Sequence, residues 1–427
     1  MRSLRNLVYR TLRGSEGLFK TDMVYLTKGG SWLTFGQVLS TLAALASAVI
    51  LANQLDQNTY GIYKYILTAF GLLATTNLLG INTSLTQSII KNGESSIAPA
   101  LREKIRWSFL GSLLAVVGAL YYLYKGNTNY FALFALVAAF LPFLETLTIY
   151  DAVLQARKDF RRSTMYSLLV QIVASTSLIT SALLTENVVV IIAVFFGSTT
   201  IVKYLLYLRV TSSIKPSGTL GETIIPYGKY LSFISALKNL TNYVDRLAIY
   251  FLLGPIKLAI YSVAIAPVDH LKSLLKGVKT LSFLKLAGQE SIGMEKRLRY
   301  RLWLLSFIVL AVSLAYVFVA PYLFSILFPK YIESIIYSQV FALSLFAIIT
   351  AFVAETALVA VGAKKQITQY NIFNNLFGLV ILVIFIYFFG LWGAIAGRIV
   401  TRVTLMISGW WLLGIASESS QTKSNGA

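Results

Sequence analysis

Residues Leu376–Phe389 read LFGLVILVIFIYFF, a stretch with no charged side chain and no alternation of polar and apolar positions. A strand of a membrane barrel alternates over about ten residues. A run that is apolar on every side is instead a helix, whose backbone satisfies its own hydrogen bonds inside a bilayer. The rest of the chain agrees. Of 427 residues, 57% are hydrophobic and 13% charged, with mean hydropathy +0.72. A soluble domain carries roughly 25% charge, and one of this composition would expose large apolar areas. A soluble enzyme, a nucleic-acid-binding domain and a disordered chain are therefore excluded. The absence of cysteine removes disulfides, thiolate metal sites and a thiol nucleophile, and a single histidine, His270, removes a histidine metal cluster.

Further runs long enough to cross a ~30 Å hydrocarbon core fall at 31–53, 60–82, 105–124, 130–155, 164–184, 187–209, 228–253, 258–279, 301–320, 334–361, 367–389 and 391–414. These are twelve spans. The net charge of +20 is concentrated in alternate loops. One set holds Arg2, Arg5, Arg10, Arg13, Lys20 and Lys28, then Lys91, Arg102, Lys104 and Arg106, then Arg157, Lys158, Arg161 and Arg162, and continues to Lys364 and Lys365. The other set holds Lys125, Lys257 and Lys330. Basic loops are cytoplasmic, so both termini are expected there. Residues 1–27 lack the apolar core of a signal peptide; they read as an amphipathic surface helix or as a basic tail.

The segment Arg209–Thr223, with Lys215-Pro216-Ser217-Gly218, interrupts the apolar pattern and reads as a linker. Six spans lie on each side of it. Leu51–Ile66 (LANQLDQNTYGIYKYI) aligns without gaps to Ile249–Ala264 (IYFLLGPIKLAIYSVA), and Gln155–Lys158 stands beside Val361–Lys364 at nearly the same offset. The expected organisation is a cytoplasmic segment 1–27, a lobe 28–210, a linker 211–224, a second lobe 225–415 and a polar tail 416–427. Six is even, so the lobes are parallel repeats, an arrangement in which transporters hold the substrate between the halves. A cavity walled by spans one, two, seven and eight is expected.

Ionisable residues inside spans are costly and mark a pathway by default. In span seven, Lys238, Asn242 and Asp245 lie on one helical face, with Arg246 about 100° away. This face reads as a cavity wall, or as Asp245 neutralised internally while Arg246 snorkels outward. Span eight carries Asp269, His270 and Lys272 after Pro267, with Lys272 placed to snorkel to the cytoplasm. Glu145 follows Pro142 in span four, and Glu355 lies in span ten. Asp151 is expected to pair with the basic inner loop. Arg398 and Arg402 are one turn apart in span twelve, whose depth is fixed by the interfacial anchor Trp410-Trp411. Lys64 lies near the outer end of span two, and Asn371, Asn374 and Asn375 form a polar face that bonds neighbouring helices. With Lys203, cations outnumber anions within the spans. Such a cavity suits an anionic substrate, since arginine binds phosphate through paired hydrogen bonds. The candidate anion-binding set is Lys238, Arg246, Arg398, Arg402, Lys64 and Asn242. The candidate coupling-ion set is Asp245, Asp269, Glu355 and Glu145, where burial favours a neutral carboxyl.

The chain carries Lys28-Gly29-Gly30-Ser31-Trp32, Tyr60-Gly61-Ile62-Tyr63, Asn77-Leu78-Leu79-Gly80-Ile81, Tyr243-Val244-Asp245-Arg246, Leu253-Gly254, Ile260-Tyr261-Ser262-Val263-Ala264 and Gly390-Leu391-Trp392-Gly393-Ala394. In these it resembles the polysaccharide-biosynthesis membrane proteins, the Wzx-type flippases of the multidrug/oligosaccharidyl-lipid/polysaccharide exporter superfamily. The family pattern often has an acidic residue before the glycine of span two, where this chain has Asn77. The resemblance implies an all-α integral membrane protein of about 12 transmembrane helices, its two six-helix lobes forming a V-shaped central cavity. It implies flipping of an undecaprenyl-pyrophosphate-linked oligosaccharide to the outer leaflet of a bacterial inner membrane. An H+ or Na+ gradient would be the drive, with no other cofactor, and a polysaccharide polymerase and a chain-length regulator would be partners. Lipid II flippases of similar fold typically have fourteen spans. Two alternatives stand. A drug/cation antiporter of the same superfamily would prefer a carboxylate-lined cavity. A polysaccharide polymerase or ligase would need a sizeable outer loop, and the outer loops here are about ten residues or fewer.

Overall fold

The computed structural model describes residues 23–212, 214, 224–274, 294–360 and 364–425. Most of the N-terminal segment, almost all of the linker, the basic loop after 274 and Val361–Ala363 of the second sequence match lie outside the described residues. All described elements are helices: α1 (Met23–Gln54), α2 (Gln57–Leu73), α3 (Gly80–Asn92), α4 (Ile97–Tyr124), α5 (Thr128–Leu144), α6 (Ile149–Ala156), α7 (Phe160–Leu184), α8 (Val188–Thr211), α9 (Ile224–Leu253), α10 (Pro255–Leu274), α11 (Met294–Leu327), α12 (Ser334–Leu343), α13 (Leu345–Ala360) and α14 (Lys364–Asn425). Short 3₁₀ turns join several of them.

Tight turns between apolar helices need a group to take the first free amides. Asp56, Asn127, Asp159 and Asn187 do this for α2, α5, α7 and α8; Asp56, for example, accepts from the amides of Asn58 at 2.9 Å and Thr59 at 3.0 Å. Helix α14 is not one rod. Gly390 has φ 57° and ψ −132°, a left-handed-side conformation open to glycine, and the chain reverses there into two limbs. Span two breaks at the 3₁₀ turn Ala74–Asn77 and at Leu78 (φ 48°), and its two pieces are bent by 40°. Span four breaks shortly after Pro142, whose missing N–H and ring disrupt the ladder, through the 3₁₀ turn Thr146–Thr148.

By length and apolarity, eight of the described helical stretches can cross a membrane, or nine if the bent pair is one span. One of these, Gln366–Ile415, contains the turn at Gly390 and covers two of the expected spans. The expected spans at 228–253 and 258–279 correspond to α9 and α10, which hold Lys238, Asp245, Arg246, Asp269 and Lys272. The outer surface is apolar: Phe109, Leu113, Phe318, Ile326, Tyr387 and Phe388 are all exposed, as lipid-facing side chains are.

Helices α1–α8 pack mainly among themselves, as do α9–α14, and the two groups meet where α2 and α3 lie along α9 and α10. This seam is built on glycine. A Cβ at Gly61 would overlap the carbonyl of Pro255, one at Gly80 the backbone of Ser232, and one at Gly228 would meet Ser84 Oγ at 2.6 Å. The end of the seam away from the termini is tied further. Asn53 Nδ2 donates to Leu327 O at 2.7 Å, Gln57 Nε2 donates to Lys330 O at 2.8 Å, and Tyr65 stacks on Tyr250 with ring centroids 3.7 Å apart.

Candidate functional site

Spans two and seven approach closely through these glycines. A polar cavity lies beside this seam, within the second helix group. Its volume is about 490 Å³. Lys238, Thr241 and Asn242 line it from α9, Lys272 from α10 and Glu355 from α13. The first limb of α14 adds Asn371, Asn374 and Asn375, and the second limb adds Arg398, Thr401 and Arg402.

The charges are wired across helices. Asp245 is fully buried. Its Oδ2 accepts from Arg398 Nε at 2.8 Å, from Arg398 Nη2 at 2.6 Å and from the hydroxyl of Tyr261. Its Oδ1 is buried without a hydrogen-bond partner among the described residues. Asp269 stands between two arginines, 3.8 Å from Arg246 Nη2 and 3.8 Å from Arg402 Nη2. Arg402 is buried, donates from Nη1 to Ser344 Oγ at 2.6 Å and lies over the ring of Phe341 at 4.0 Å. Its Nη2 and Arg246 Nε have no hydrogen-bond acceptor among the described residues. Lys238 faces Glu355 at 3.6 Å. The asparagines hold the frame: Thr241 Oγ1 donates to Asn375 Oδ1 at 3.2 Å, and Asn374 Nδ2 donates to Ser408 Oγ at 2.8 Å.

Eight of the ten expected site residues thus fall in or directly behind one cavity: Lys238, Asn242, Asp245, Arg246, Asp269, Glu355, Arg398 and Arg402. The partner of Asp245 is Arg398, and Arg246, for which outward snorkelling is one expectation, faces Asp269. Lys64 and Glu145 do not line this cavity; Lys64, from the first helix group, lies within electrostatic reach of Arg246. The Lys64 ammonium is 5.0 Å from the ring centroid of Tyr60 and 5.5 Å from that of Tyr63. Glu145 is in the first helix group, 4.0 Å from Lys203 Nζ. Asp151, expected to pair with the basic loop, instead accepts from Ser163 Oγ at 2.5 Å and Gln155 Nε2 at 2.7 Å. Two residues take places their sequence positions hid. Lys272 lines the cavity, and Lys104, counted above with the loop cations, is fully buried. Lys104 lies in a stretch of α4 with three other charges, Arg102, Glu103 and Arg106, and only its i, i+4 register with the small residues Ala100 and Ser108 marked an inward face.

The cavity can hold an anion. Four cationic side chains and one carboxylate line it, and two arginine N–H donors remain open beside it. Paired arginines on one face suit the oxygens of a phosphate better than a point charge does.

Comparison with known proteins places this architecture. No curated protein matches the chain. Among solved structures, the inward-facing conformation of a multidrug resistance MATE family transporter of the MOP superfamily is similar, with a TM-score of 0.66 at 14% identity over 90% of this chain and 96% of that one. The outward-facing conformation of a multidrug resistance MATE family transporter of the MOP superfamily gives 0.55 at 15% identity, over 93% and 97%. A MOP superfamily transporter from Pyrococcus furiosus Vc1 (DSM3638), for which a binding pocket of reverse polarity suggests a different function, gives 0.57 at 14% identity, over 92% and 96%. These likenesses show the fold, that of multi-pass membrane transporters. Residues 26–281 match the model of one family, well over half of the chain. The chain belongs to the polysaccharide biosynthesis protein family, on the fold of the MOP superfamily transporters.

Proposed function

We propose that this protein is a flippase for a polyprenyl-pyrophosphate-linked oligosaccharide. It carries the headgroup from the cytoplasmic to the outer leaflet of a bacterial inner membrane, with both termini cytoplasmic, and acts beside a polymerase and a chain-length regulator. The observation that carries this reading is the cation excess at the cavity, where Lys238, Lys272, Arg398 and Arg402, with Arg246 behind them, stand against Glu355, Asp245 and Asp269. A pyrophosphate is the anion that a lipid-linked sugar presents, and the family is one of polysaccharide biosynthesis. The seam closed at the Asn53–Leu327 and Gln57–Lys330 contacts fits a state open toward the termini, as does the higher similarity to the inward-facing relative. Protons or sodium entering on Asp245, Asp269 or Glu355 would release their arginine or lysine partners and reset the empty site.

The drug/cation antiporter reading is favoured by the structural neighbours and opposed by the charge of the cavity, which repels cations. Reconstituted vesicles decide between them. A fluorescent lipid-linked oligosaccharide is expected to equilibrate between leaflets in the presence of the protein, faster under an imposed proton or sodium gradient. The double variant Asp245→Asn/Arg398→Gln, which leaves no uncompensated buried charge, is expected to insert normally and flip nothing. Transport of a cationic dye with no movement of the labelled lipid would overturn the proposal.

A further inference from the structure

We infer that the first helix group contains a small-cation site, built where two broken helices meet and filled by the protein's own ammonium group, that of Lys104. The break in span two, at Ala74–Leu78, and the break in span four, at Thr146–Thr148, are linked by two hydrogen bonds. Asn77 Nδ2 donates to Leu141 O at 3.1 Å, and Asn82 Nδ2 donates to Thr148 Oγ1 at 3.1 Å. An interrupted helix inside a membrane frees carbonyls that no amide of its own reaches, and opposed breaks of this kind coordinate small cations.

Lys104 reaches into the junction from a third helix, α4, and is fully buried. Its Nζ donates to Asn82 Oδ1 at 2.8 Å, to the carbonyl of Glu145 at 3.0 Å, which also accepts from Thr148 Oγ1 at 2.6 Å, and to Thr148 Oγ1 at 3.5 Å. An ammonium has three N–H donors and no acceptor, and the cage offers it three neutral oxygens. Each N–H of the ammonium meets one of these acceptors. The charged groups facing Lys104 are Glu145 and Lys203, which lie 4.0 Å from each other; Lys203 Nζ takes the neighbouring carbonyl, Leu144 O, at 2.7 Å. Lys104 therefore does at this junction what a dissolved sodium or ammonium ion does in a carbonyl-lined site, and the junction holds in any ionic medium. On the reading given under Proposed function, and only there, ion coupling then falls to the carboxylates of the second helix group and not to Glu145.

The test is thermal melting of the full-length protein in detergent, which reads no transport and so stands or falls apart from the flippase proposal. Wild type is expected to melt alike in choline, sodium and ammonium chloride at equal ionic strength. Lys104→Ala is expected to melt several degrees lower in choline and to recover a large part of the loss in ammonium or methylammonium chloride. An equal loss in all salts, or no loss, overturns the assignment. Lys104→Met fills the same space without the charge; it is expected to melt below wild type in every salt and to recover nothing in ammonium, because its side chain occupies the cage. Melting at the wild-type temperature, or recovery in ammonium equal to that of Lys104→Ala, would overturn the assignment.

Discussion

Replacing Arg398 by alanine removes the cation bonded to Asp245, a carboxylate with no solvent contact. Asp245 Oδ2 would lose its two arginine donors, at 2.8 and 2.6 Å, and keep only the hydroxyl of Tyr261, while Oδ1 already has no partner among the described residues. Breaking one side of a buried pair costs about 3–5 kcal/mol, because the remaining charge is left uncompensated. At 1.4 kcal/mol per decade, that is a shift of about two to four decades in the folding equilibrium. Arg398→Lys restores the charge but offers a point donor in place of two N–H groups and forgoes the bond to Asn242 O at 3.2 Å, a loss of about 1–2 kcal/mol. The diagnostic variant is Arg398→Gln with Asp245→Asn. It has no buried charge, and its stability is expected to return to within about 1–2 kcal/mol of wild type, since neutral replacement of a buried pair is often close to neutral. Unfolding in mixed detergent micelles, followed by tryptophan fluorescence, measures all three. If Arg398→Ala unfolds with wild type, or if the double variant is as unstable as the single, the electrostatic account of this pair is refuted.

Gly61→Val places a branched side chain against the Pro255 carbonyl; it is expected to part the seam, abolish flipping and expose Asn53 and Gln57 to alkylation after cysteine replacement. Arg402→Lys keeps a charge over Phe341 but loses the two-pronged donor; isothermal titration with inorganic pyrophosphate is expected to show about tenfold weaker binding, one lost charge-assisted hydrogen bond. Lys238→Ala breaks an ion pair whose lysine is half exposed, at 52%; its stability is expected to change by less than about 1 kcal/mol, while flipping becomes less sensitive to salt. Burial pushes the Asp56 carboxyl up, but the hydrogen bonds from Thr59 and Asn58 outweigh it and hold the group below its ordinary value. Its contribution is therefore present above the ordinary carboxylate range and lost as pH falls through the folded value; Asp56→Ala is expected to cost about 1 kcal/mol at neutral pH and to remove that acid sensitivity.

Much of the architecture is legible in the sequence because bilayers demand long apolar runs and place basic loops on one side. The helical spacing of Lys238, Asn242 and Asp245 marked the cavity wall, and the turn between Arg398 and Arg402 marked the facing one. The pairing of Asp245 with Arg398 was not legible, since 153 residues separate them and Arg246 lies next in the chain. Lys104 was misplaced for a related reason. Charge density assigns a short basic run to a loop, whereas burial is decided by which oxygens a single side chain can reach. The seam contacts were not legible either: nothing in the sequence marked Gly61, Gly80 and Gly228 as the points where the two helix groups touch. Pro142 announced the break in span four, but nothing as plain announced the left-handed Leu78 in span two.

Those contact points also bear on how the halves move. Helices normally lock because side-chain ridges of one sit in the grooves of the other, and a roll must lift every ridge. Along α2, α3 and α9 the ridges are missing at Gly61, Gly80 and Gly228, so there the helices meet without side chains of their own to interlock. What would resist a roll of one half on the other is then concentrated in the side chains that do hook across, among them Asn53, Gln57, the ion pair of Lys229 with Glu103 and the stacked pair Tyr65 and Tyr250.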